Sequence, residues 1–247
     1  MMQQDSSYQN NNWLLYIRSM LFLFGMTTST VVIAPIMIMA FPLPFDTRYS
    51  IAQIWVKFNL WFLKSVCHLD HAIQGLDNIP EENGIIFCKH QSAWETIALQ
   101  AIFPTQVFIL KRELLWLPFF GWAMATCDPI AIDRKAGKAA LRQVVEQGIE
   151  RLKNKRWVVI FPEGTRVAPG EKRKYGAGGG ILAHKANAVV IPVAHNAGKY
   201  WGKYSFLKFP GTIQVRIGQP IYPDNLKAQQ INEKAKNWIE RQMSEIS

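Results

Sequence analysis

His90 and Glu95 are two residues whose types and spacing fit acid–base chemistry. His90 follows an apolar run, residues 84–88, that predicts a buried strand, and a helix is predicted from Ser92 onward. Such a helix can bring the Glu95 carboxylate back toward the imidazole. A carboxylate bonded to one ring nitrogen fixes the tautomer and leaves the other nitrogen able to accept a proton. The pair therefore fits a general base acting on an alcohol, whereas a lone His–Glu pair is more often a helix cap beside a solvated carboxylate.

A second candidate segment, residues 161–166, reads Phe-Pro-Glu-Gly-Thr-Arg and follows a predicted strand at residues 157–161. Pro162 and Gly164 turn the chain there. The turn delivers three polar side chains to the sheet edge at which His90 is expected: Glu163, Thr165 and Arg166. Arginine holds a phosphate through two parallel hydrogen bonds. By itself the segment is an ordinary turn, but beside His90 it indicates a base and a phosphate anchor in one site.

Further basic residues are weaker candidates. Lys111 and Arg112 follow a predicted strand, and Lys174 ends a run of three basic residues before Gly176. Such runs are usually solvated faces, but these flank strand ends and can neutralise a phosphate or an oxyanion. The apolar residues 117–122 are either a core loop or a wall for an acyl chain, and the sequence favours neither.

The apolar runs and helical periodicities after residue 70 predict an α/β fold, with a mostly parallel sheet flanked by helices. The predicted strands are residues 84–88, 106–110, 157–161, 188–193 and 212–217, the last as an edge strand. Besides the helix from Ser92, helices are predicted at residues 136–153, 180–185 and 225–243.

The N-terminal part has a membrane-type pattern. Residues 19–45 carry no charged side chain, which exceeds the ~20 apolar residues of a spanning helix, although threonines and prolines interrupt them. A signal peptide is the alternative, but a basic leader and a small-residue cleavage site are missing. Residues 51–66 follow with apolar positions at helical spacing, which fits a core helix but favours an amphipathic helix in the headgroup region, because the segment directly follows a membrane-type one. We therefore predict a membrane-associated helical segment at residues 1–67 and an α/β domain at residues 68–247.

The balance of charge restricts the partners. The chain has a formal net charge of +10, and before position 48 its charged residues are Asp5, Arg18 and Asp46. The positive charge thus lies in the later part, which favours anionic partners: nucleic acid, an anionic membrane surface or phosphorylated substrates. The three cysteines have no C-x-x-C spacing, which indicates reduced thiols rather than a disulfide framework or a zinc site.

Four blocks in order give the chain a family resemblance. They are residues 89–95, residues 111–121 with a basic pair ahead of Pro-Phe-Phe-Gly, residues 161–166 and residues 190–193. Over residues 70–220 the chain resembles the 1-acylglycerol-3-phosphate acyltransferase (lysophosphatidate acyltransferase) family of the glycerolipid acyltransferase superfamily. One position departs from the family pattern, because Glu95 stands where the family usually has aspartate, and this leaves the acceptor more open.

The resemblance implies a set of roles. His90 would be the general base on the acceptor hydroxyl and Glu95 its orienting partner. The acceptor, a lysophospholipid, would be bound by Glu163, Gly164, Thr165 and Arg166, with Lys111, Arg112 and Lys174 as candidates for phosphate or oxyanion stabilisation. The donor would be a thioester on coenzyme A or acyl carrier protein. No metal, cofactor or nucleic acid is expected, and the enzyme would work on membrane lipids. If residues 19–45 span the bilayer, Arg48, Lys57 and Lys64 on their far side place the catalytic domain on the cytoplasmic side of the cytoplasmic membrane.

Several alternatives stay open. The acceptor can be another lipid or alcohol, such as glycerol 3-phosphate, an ornithine lipid precursor or a lipid A precursor, the last disfavoured by the complete 161–166 block. A thioester hydrolase would share the base but would not need Arg166. A non-catalytic basic adaptor at the membrane, or a nucleic-acid binder, would instead carry its basic residues in one stripe with exposed aromatic residues.

Overall fold

The computed structural model describes residues 12–246. Its helices are α1 Asn12–Met39, α2 Phe45–Cys67, α3 Trp94–Ile102, α4 Phe120–Ala125, α5 Lys138–Lys153, α6 Gly178–Ala186, α7 Ala197–Tyr200 and α8 Ala228–Ile246. Its strands are β1 Leu69–Gln74, β2 Ile85–Cys88, β3 Gln106–Lys111, β4 Ile130–Ile132, β5 Trp157–Ile160, β6 Val190–His195 and β7 Gly211–Ile217.

The strands form one sheet in the order β1-β7-β6-β2-β5-β3-β4, and all neighbours are parallel except β6 and β7. The α/β prediction with a mostly parallel sheet is therefore confirmed. The placement of residues 212–217 at an edge was wrong, because β1 pairs with β7 along its length, from Leu69 opposite Gly211 to Gln74 opposite Arg216. Alternating burial in β7 reflects its side chains facing two environments rather than a free edge.

The central strands are short, apolar and buried on both faces, as expected for parallel strands covered by helices. Ile86 and Val159 face a cluster formed with α2 and α3, which includes Leu63 and Trp94. Their neighbours Ile85 and Val158 face a second cluster formed with α5, α6 and α8. The helices therefore cover the sheet on both sides and hold its strand ends in fixed register.

Helix α1 lies along the α/β domain and contacts it in both halves. In its N-terminal half Phe22 is buried, with its ring edge-on to Trp201 at 5.5 Å. Near its C-terminus Ala34 and Met37 pack with Ala123 of α4. Within residues 12–246, Trp13–Met39 is the one helix long and apolar enough to cross a membrane, and little of it is buried.

Helix α2 packs between α1 and the sheet. Its buried side is made of Ala52, Val56, Asn59, Leu63 and Cys67, among others. Part of the apolar face that the sequence predicts stays exposed, including Ile54 and Phe58, together with the neighbouring Trp61. The helix therefore has both a core side and an apolar outer side.

Candidate active site

The carboxyl ends of the parallel strands meet at one edge of the sheet, where ligands bind in open α/β folds. Strand β2 is paired with β5 and with β6, with Phe87 opposite both Ile160 and Pro192. His90 follows β2, the 161–166 turn follows β5, and His195 ends β6. The strand pairing thus brings three segments with functional side chains to the centre of this edge.

His90 and Glu95 are in direct contact. Nδ1 of His90 lies 2.7 Å from Oε1 of Glu95, and the imidazole stacks on the ring of Phe161 with centroids 3.9 Å apart and planes 13° apart. Because Nδ1 is engaged and the ring is held flat against Phe161, the orientation of the imidazole is fixed. The other nitrogen, Nε2, is the one left to accept a proton.

The Glu95 carboxylate is fully buried in the first turn of α3. Its Oε1 also accepts hydrogen bonds from the backbone N–H groups of Gln91 and Ser92, each at 2.9 Å. The helix begins at Trp94 rather than at Ser92, so the chain before it wraps around the carboxylate. Burial alone would raise the pKa of Glu95, but the nearby His195 and His90 and the Ser92 N–H outweigh it and lower that pKa. Glu95 is therefore an anion suited to hold His90.

His195 lies behind Glu95 and was not predicted. Its Nε2 is 2.7 Å from the carbonyl oxygen of Lys89 and 3.9 Å from Oε2 of Glu95, while its Nδ1 accepts a 3.2 Å hydrogen bond from the N–H of Ala197. A carbonyl only accepts, so Nε2 carries the hydrogen and Nδ1 does not. Burial lowers the pKa of His195, opposed by the Glu95 charge, which agrees with this neutral form. The ring supports the backbone next to His90 from inside the fold.

The 161–166 turn is attached directly to the His90 segment. Gly164 has φ +70°, a left-handed conformation that favours glycine, and its N–H donates to the carbonyl of Phe161 at 2.9 Å. The N–H of Val167 donates to the carbonyl of His90 at 2.8 Å. The residue after Arg166 therefore lies against the residue that carries the imidazole.

Arg166 is half-buried, with its guanidinium carbon 5.2 Å from the centroid of the Tyr204 ring. Among the salt bridges of residues 12–246, none involves Arg166. A guanidinium held against an aromatic face with its N–H groups unclaimed by protein anions is suited to receive a phosphate. Thr165 is half-buried beside it, and neither Thr165 nor Arg166 is part of the cleft wall at His90, which the turn reaches through Pro162 and Gly164.

Glu163 points inward, although the resemblance implied that it contacts the acceptor. It is buried, and its Oε1 lies 3.3 Å from Nζ of Lys89. Burial raises the pKa of Glu163 to about 7, opposed by the positive charge of Lys89. Pro162 and Gly164, its neighbours, line the cleft beside His90, and Glu163 does not.

Three other predicted residues lie on the surface away from the cleft lining. Lys111 pairs with Glu113 at 3.1 Å, and Arg112 pairs with Asp133 at 3.4 Å. Lys174 is exposed. The structure does not place their side chains in the wall around His90.

The cleft at His90 has a volume of about 260 Å³. Apart from His90 its walls are mostly apolar, with Ile109, Ile132 and Ile160 from the sheet and Leu141 and Val144 from α5. A basic nitrogen at the edge of an apolar cleft suits a substrate with both a polar and a hydrocarbon part.

A second cavity lies between α1, α2, α4 and the sheet, and Phe108 and Phe120 are part of its wall. Of residues 117–122, which the sequence left as a core loop or an acyl-chain wall, Phe120 lines this cavity on one side, while Leu117, Phe119 and Trp122 are about half exposed and do not line it. Among residues 12–246, no group of three or more His, Cys, Asp or Glu side chains is placed to hold a metal.

Residues 70–196 match the model of a protein family described as Acyltransferase. A 1-acyl-sn-glycerol-3-phosphate acyltransferase from Pseudomonas aeruginosa is 44% identical over 236 residues, which cover 94% of this chain and 92% of the relative. The chain belongs to the 1-acyl-sn-glycerol-3-phosphate acyltransferase family. This confirms the resemblance carried by the four sequence blocks, and the chain is an acyltransferase.

Two further comparisons extend this result. A 1-acyl-sn-glycerol-3-phosphate acyltransferase from Saccharomyces cerevisiae is 30% identical over 196 residues, which are 76% of this chain and 64% of the relative. The crystal structure of the 1-acyl-sn-glycerophosphate acyltransferase PlsC from Thermotoga maritima has the same fold, with a TM-score of 0.77 at 22% identity, over 94% of this chain and 95% of that one. The fold match includes the N-terminal helices, because it spans nearly the whole acyltransferase chain.

Sequence reasoning missed His195 and the partners of Lys89. His195 follows the strand predicted at residues 188–193 by two positions, as His90 follows the strand predicted at residues 84–88, so its place at a strand end could have identified it. Lys89 pairs with Glu240, which is 151 positions away and lies on a helix that packs on the opposite face of the sheet from α3. No local pattern in this acyltransferase sequence marks that contact.

Proposed function

We propose that this acyltransferase transfers a fatty acyl group from a thioester donor, on coenzyme A or acyl carrier protein, to the free hydroxyl of 1-acylglycerol 3-phosphate, which gives phosphatidate. The observation that carries the proposal is the 2.7 Å contact between His90 and the buried Glu95 at the sheet edge where the Arg166 turn is attached. The substrate named for the 44% identical relative from Pseudomonas aeruginosa supports the choice of acceptor.

In the proposed mechanism Nε2 of His90 removes the proton of the acceptor hydroxyl as its oxygen attacks the thioester carbonyl carbon. The new C–O bond forms, the C–S bond breaks, and the thiolate leaves with the electron pair and takes the proton from the imidazolium. Glu95 stabilises the imidazolium while it exists, as an anion held at Nδ1. Arg166 holds the acceptor phosphate, so the hydroxyl is presented to the base rather than to water.

We further propose that α1 lies along the membrane surface rather than across the bilayer. Both halves of α1 contact the α/β domain, at Trp201 and at Ala123, so crossing the bilayer would carry the domain into the hydrocarbon. Its exposed side is apolar, with residues such as Phe24 and Val31, and suits insertion at the headgroup boundary. Lys57 and Lys64, on the exposed side of α2, are suited to contact the anionic headgroups of the cytoplasmic leaflet.

The decisive experiment incubates purified protein with lysophosphatidate and either acyl-coenzyme A or acyl carrier protein thioester, and follows thiol release together with the lipid product. Phosphatidate formed in step with free thiol is expected. Glycerol 3-phosphate and a lyso-ornithine lipid serve as competing acceptors, because Glu95 departs from the family aspartate. Thiol release without an acylated product would identify a hydrolase and refute the proposal.

A further inference from the structure

Lys89, which immediately precedes the base His90, carries a buried charge that the proposed mechanism does not use. The residue is 2% exposed. Its Nζ lies 3.3 Å from Oε1 of Glu163 and 2.8 Å from Oε1 of Glu240, and the hydroxyl of Tyr175 donates to the same Glu240 oxygen at 3.4 Å. We call these four side chains the Lys89 cluster. They come from the end of β2, the turn after β5, the segment before α6, and α8.

A buried ammonium stays charged only when anions compensate it. Removing one partner leaves the other charge unpaired in the low-dielectric interior. The Lys89 cluster therefore restrains its members strongly in position. One lysine faces two carboxylates here, so the cluster has room for an additional proton near neutrality. Burial raises the pKa of Glu163 to about 7, the charge of Lys89 opposes this shift and that of Glu240 adds to it, so Glu163 is the carboxyl group that takes the proton as pH falls and pairs with Lys89 as an anion above pH 7.

The cluster lies on the inner side of both segments that form the candidate site. Lys89 faces inward, while the next residue, His90, lines the cleft. In the second segment Glu163 faces inward, while its neighbours Pro162 and Gly164 line the cleft. The Lys89–Glu163 ion pair thus joins the two segments on their buried side. The hydrogen bond from the Val167 N–H to the His90 carbonyl joins them through the backbone.

We propose that Lys89, Glu163 and Glu240 form a buried positioning cluster that fixes the base His90 relative to Arg166, and that Glu163 acts from within this cluster rather than as a ligand of the acceptor. The inference rests on the proposed function, because it assigns the phosphate of the acceptor to Arg166. Glu240 extends the support to α8, so that the C-terminal helix holds the site.

The two possible roles of Glu163 give different predictions for Lys89. If Glu163 binds the acceptor, replacing it affects the acceptor KM, while replacing the buried Lys89 does not reproduce that effect. If Glu163 positions the turn through Lys89, then replacing either residue disrupts the same ion pair. The two single variants then share one phenotype, and the double variant adds little to it.

The test compares Lys89→Met, Glu163→Gln and the double variant in full-length protein, with Glu233→Gln on α8 as a matched control, since Glu233 is exposed and bonded to Gln229. Acceptor KM, donor KM and kcat are measured with lysophosphatidate, and thermal unfolding is recorded to choose an assay temperature at which every variant is folded. Each single variant is expected to raise the acceptor KM and lower kcat, with kcat/KM reduced on the order of 10-fold or more and the donor KM unchanged. The double variant is expected to lose no more than about 3-fold beyond either single one.

Three results overturn the inference. Glu163→Gln alone raising the acceptor KM would make Glu163 a ligand. Losses that multiply in the double variant would make the two residues independent. Lower unfolding temperatures with unchanged kinetics in the folded state would leave the cluster a stabilising feature only. A wild-type enzyme that does not acylate lysophosphatidate overturns the proposed function and this inference with it, whereas an active wild type with any of the three results overturns the inference alone.

Discussion

The backbone N–H of Val167 donates a 2.8 Å hydrogen bond to the carbonyl oxygen of His90. This contact joins the turn after β5 to the segment after β2, two strands that are neighbours in the sheet. Arg166 therefore directly precedes the residue whose backbone is hydrogen-bonded to His90. The proposed proton acceptor, His90, and the proposed phosphate anchor, Arg166, are therefore supported by the same few backbone atoms, and substitutions at either residue should impair the same reaction.

Replacing His90 tests the base. His90→Ala should reduce acyl transfer by roughly 10²- to 10⁴-fold, because the hydroxyl then attacks without losing its proton to a positioned group. The variant should fold, although the buried Glu95 loses one partner, which costs about 1–3 kcal/mol of unfolding free energy. Phosphatidate formation and thermal unfolding measure the two effects. His90→Gln is the control, since its amide can still donate to Glu95, and turnover near the wild-type rate in either variant would refute the assignment.

Replacing Glu95 tests the orienting anion. Glu95→Gln keeps the shape and one acceptor oxygen for the Gln91 and Ser92 N–H groups but removes the charge beside the imidazole. We expect kcat to fall on the order of 10²-fold, with little change in either KM, because the lost interaction stabilises the imidazolium of the transition state. Glu95→Asp keeps the charge but shortens the reach, so its loss should be smaller. A glutamine variant more active than the aspartate variant would show that the charge is unimportant.

Replacing Arg166 tests the phosphate anchor. In Arg166→Ala the acceptor KM should rise by at least 10-fold, because a charge-assisted contact to phosphate is lost, while the KM of the acyl thioester stays within about 2-fold. Steady-state kinetics with each substrate varied in turn measure both constants. Lys174→Ala is the matched control, since Lys174 is basic and close in sequence but exposed. Equal losses for donor and acceptor would argue against a phosphate role.

The sequence predicted the central strands and the two segments beside them because these are encoded locally. The runs at residues 84–88 and 157–161 are apolar and bounded by turn residues, and strand-end reasoning then places His90 and the 161–166 turn at one edge. Strand β1 was missed because its sequence, Leu-Asp-His-Ala-Ile-Gln, is largely polar and lies at the edge of the sheet. Its absence from the prediction led directly to the wrong edge position for β7.

The inward orientation of the Glu163 side chain could not be predicted from the local sequence, for a different reason. A turn determines that a side chain reaches the sheet edge but not which side of the edge it faces. That direction follows from Lys89 and Glu240, whose pairing depends on how α8 packs against the sheet. Long-range ion pairs of this kind leave no periodic signal in the sequence.

Glu163 should make stability depend on pH. Its pKa is raised to about 7 from an ordinary value of 4.5, so between these values the folded state binds more protons than the unfolded state. Unfolding free energy should therefore fall as pH rises from about 4.5 to about 7, by on the order of 3 kcal/mol from this group. Lys89, Glu240, Tyr175 and Cys88 face it in the structure. Thermal unfolding across this range should show a flatter profile for Glu163→Gln, and parallel wild-type and variant profiles would contradict the assignment.

The last prediction separates membrane contact from core packing within α1. Phe24 is 70% exposed and Phe22 is 0% exposed, although both lie in the same turn of the helix. Phe24→Gln together with Val31→Gln, seven positions apart and on one face, should weaken binding to vesicles that contain anionic lipid by at least 10-fold, since each buried apolar side chain contributes about 1.5–3 kcal/mol. Their effect on thermal unfolding in detergent should be small. Phe22→Ala should instead lower the unfolding free energy by about 3–5 kcal/mol, with vesicle binding of the folded protein unchanged.

Deleting residues 1–47 would combine the two effects, because it removes Phe22 and Ala34 from the core along with the exposed apolar face. Point substitutions therefore give the sharper measurement. Vesicle flotation of the Phe24→Gln/Val31→Gln protein decides between the two placements of α1. A helix that crosses the bilayer would keep the protein on the vesicles at high salt and after carbonate washing despite both substitutions, whereas a helix that lies on the surface would release it.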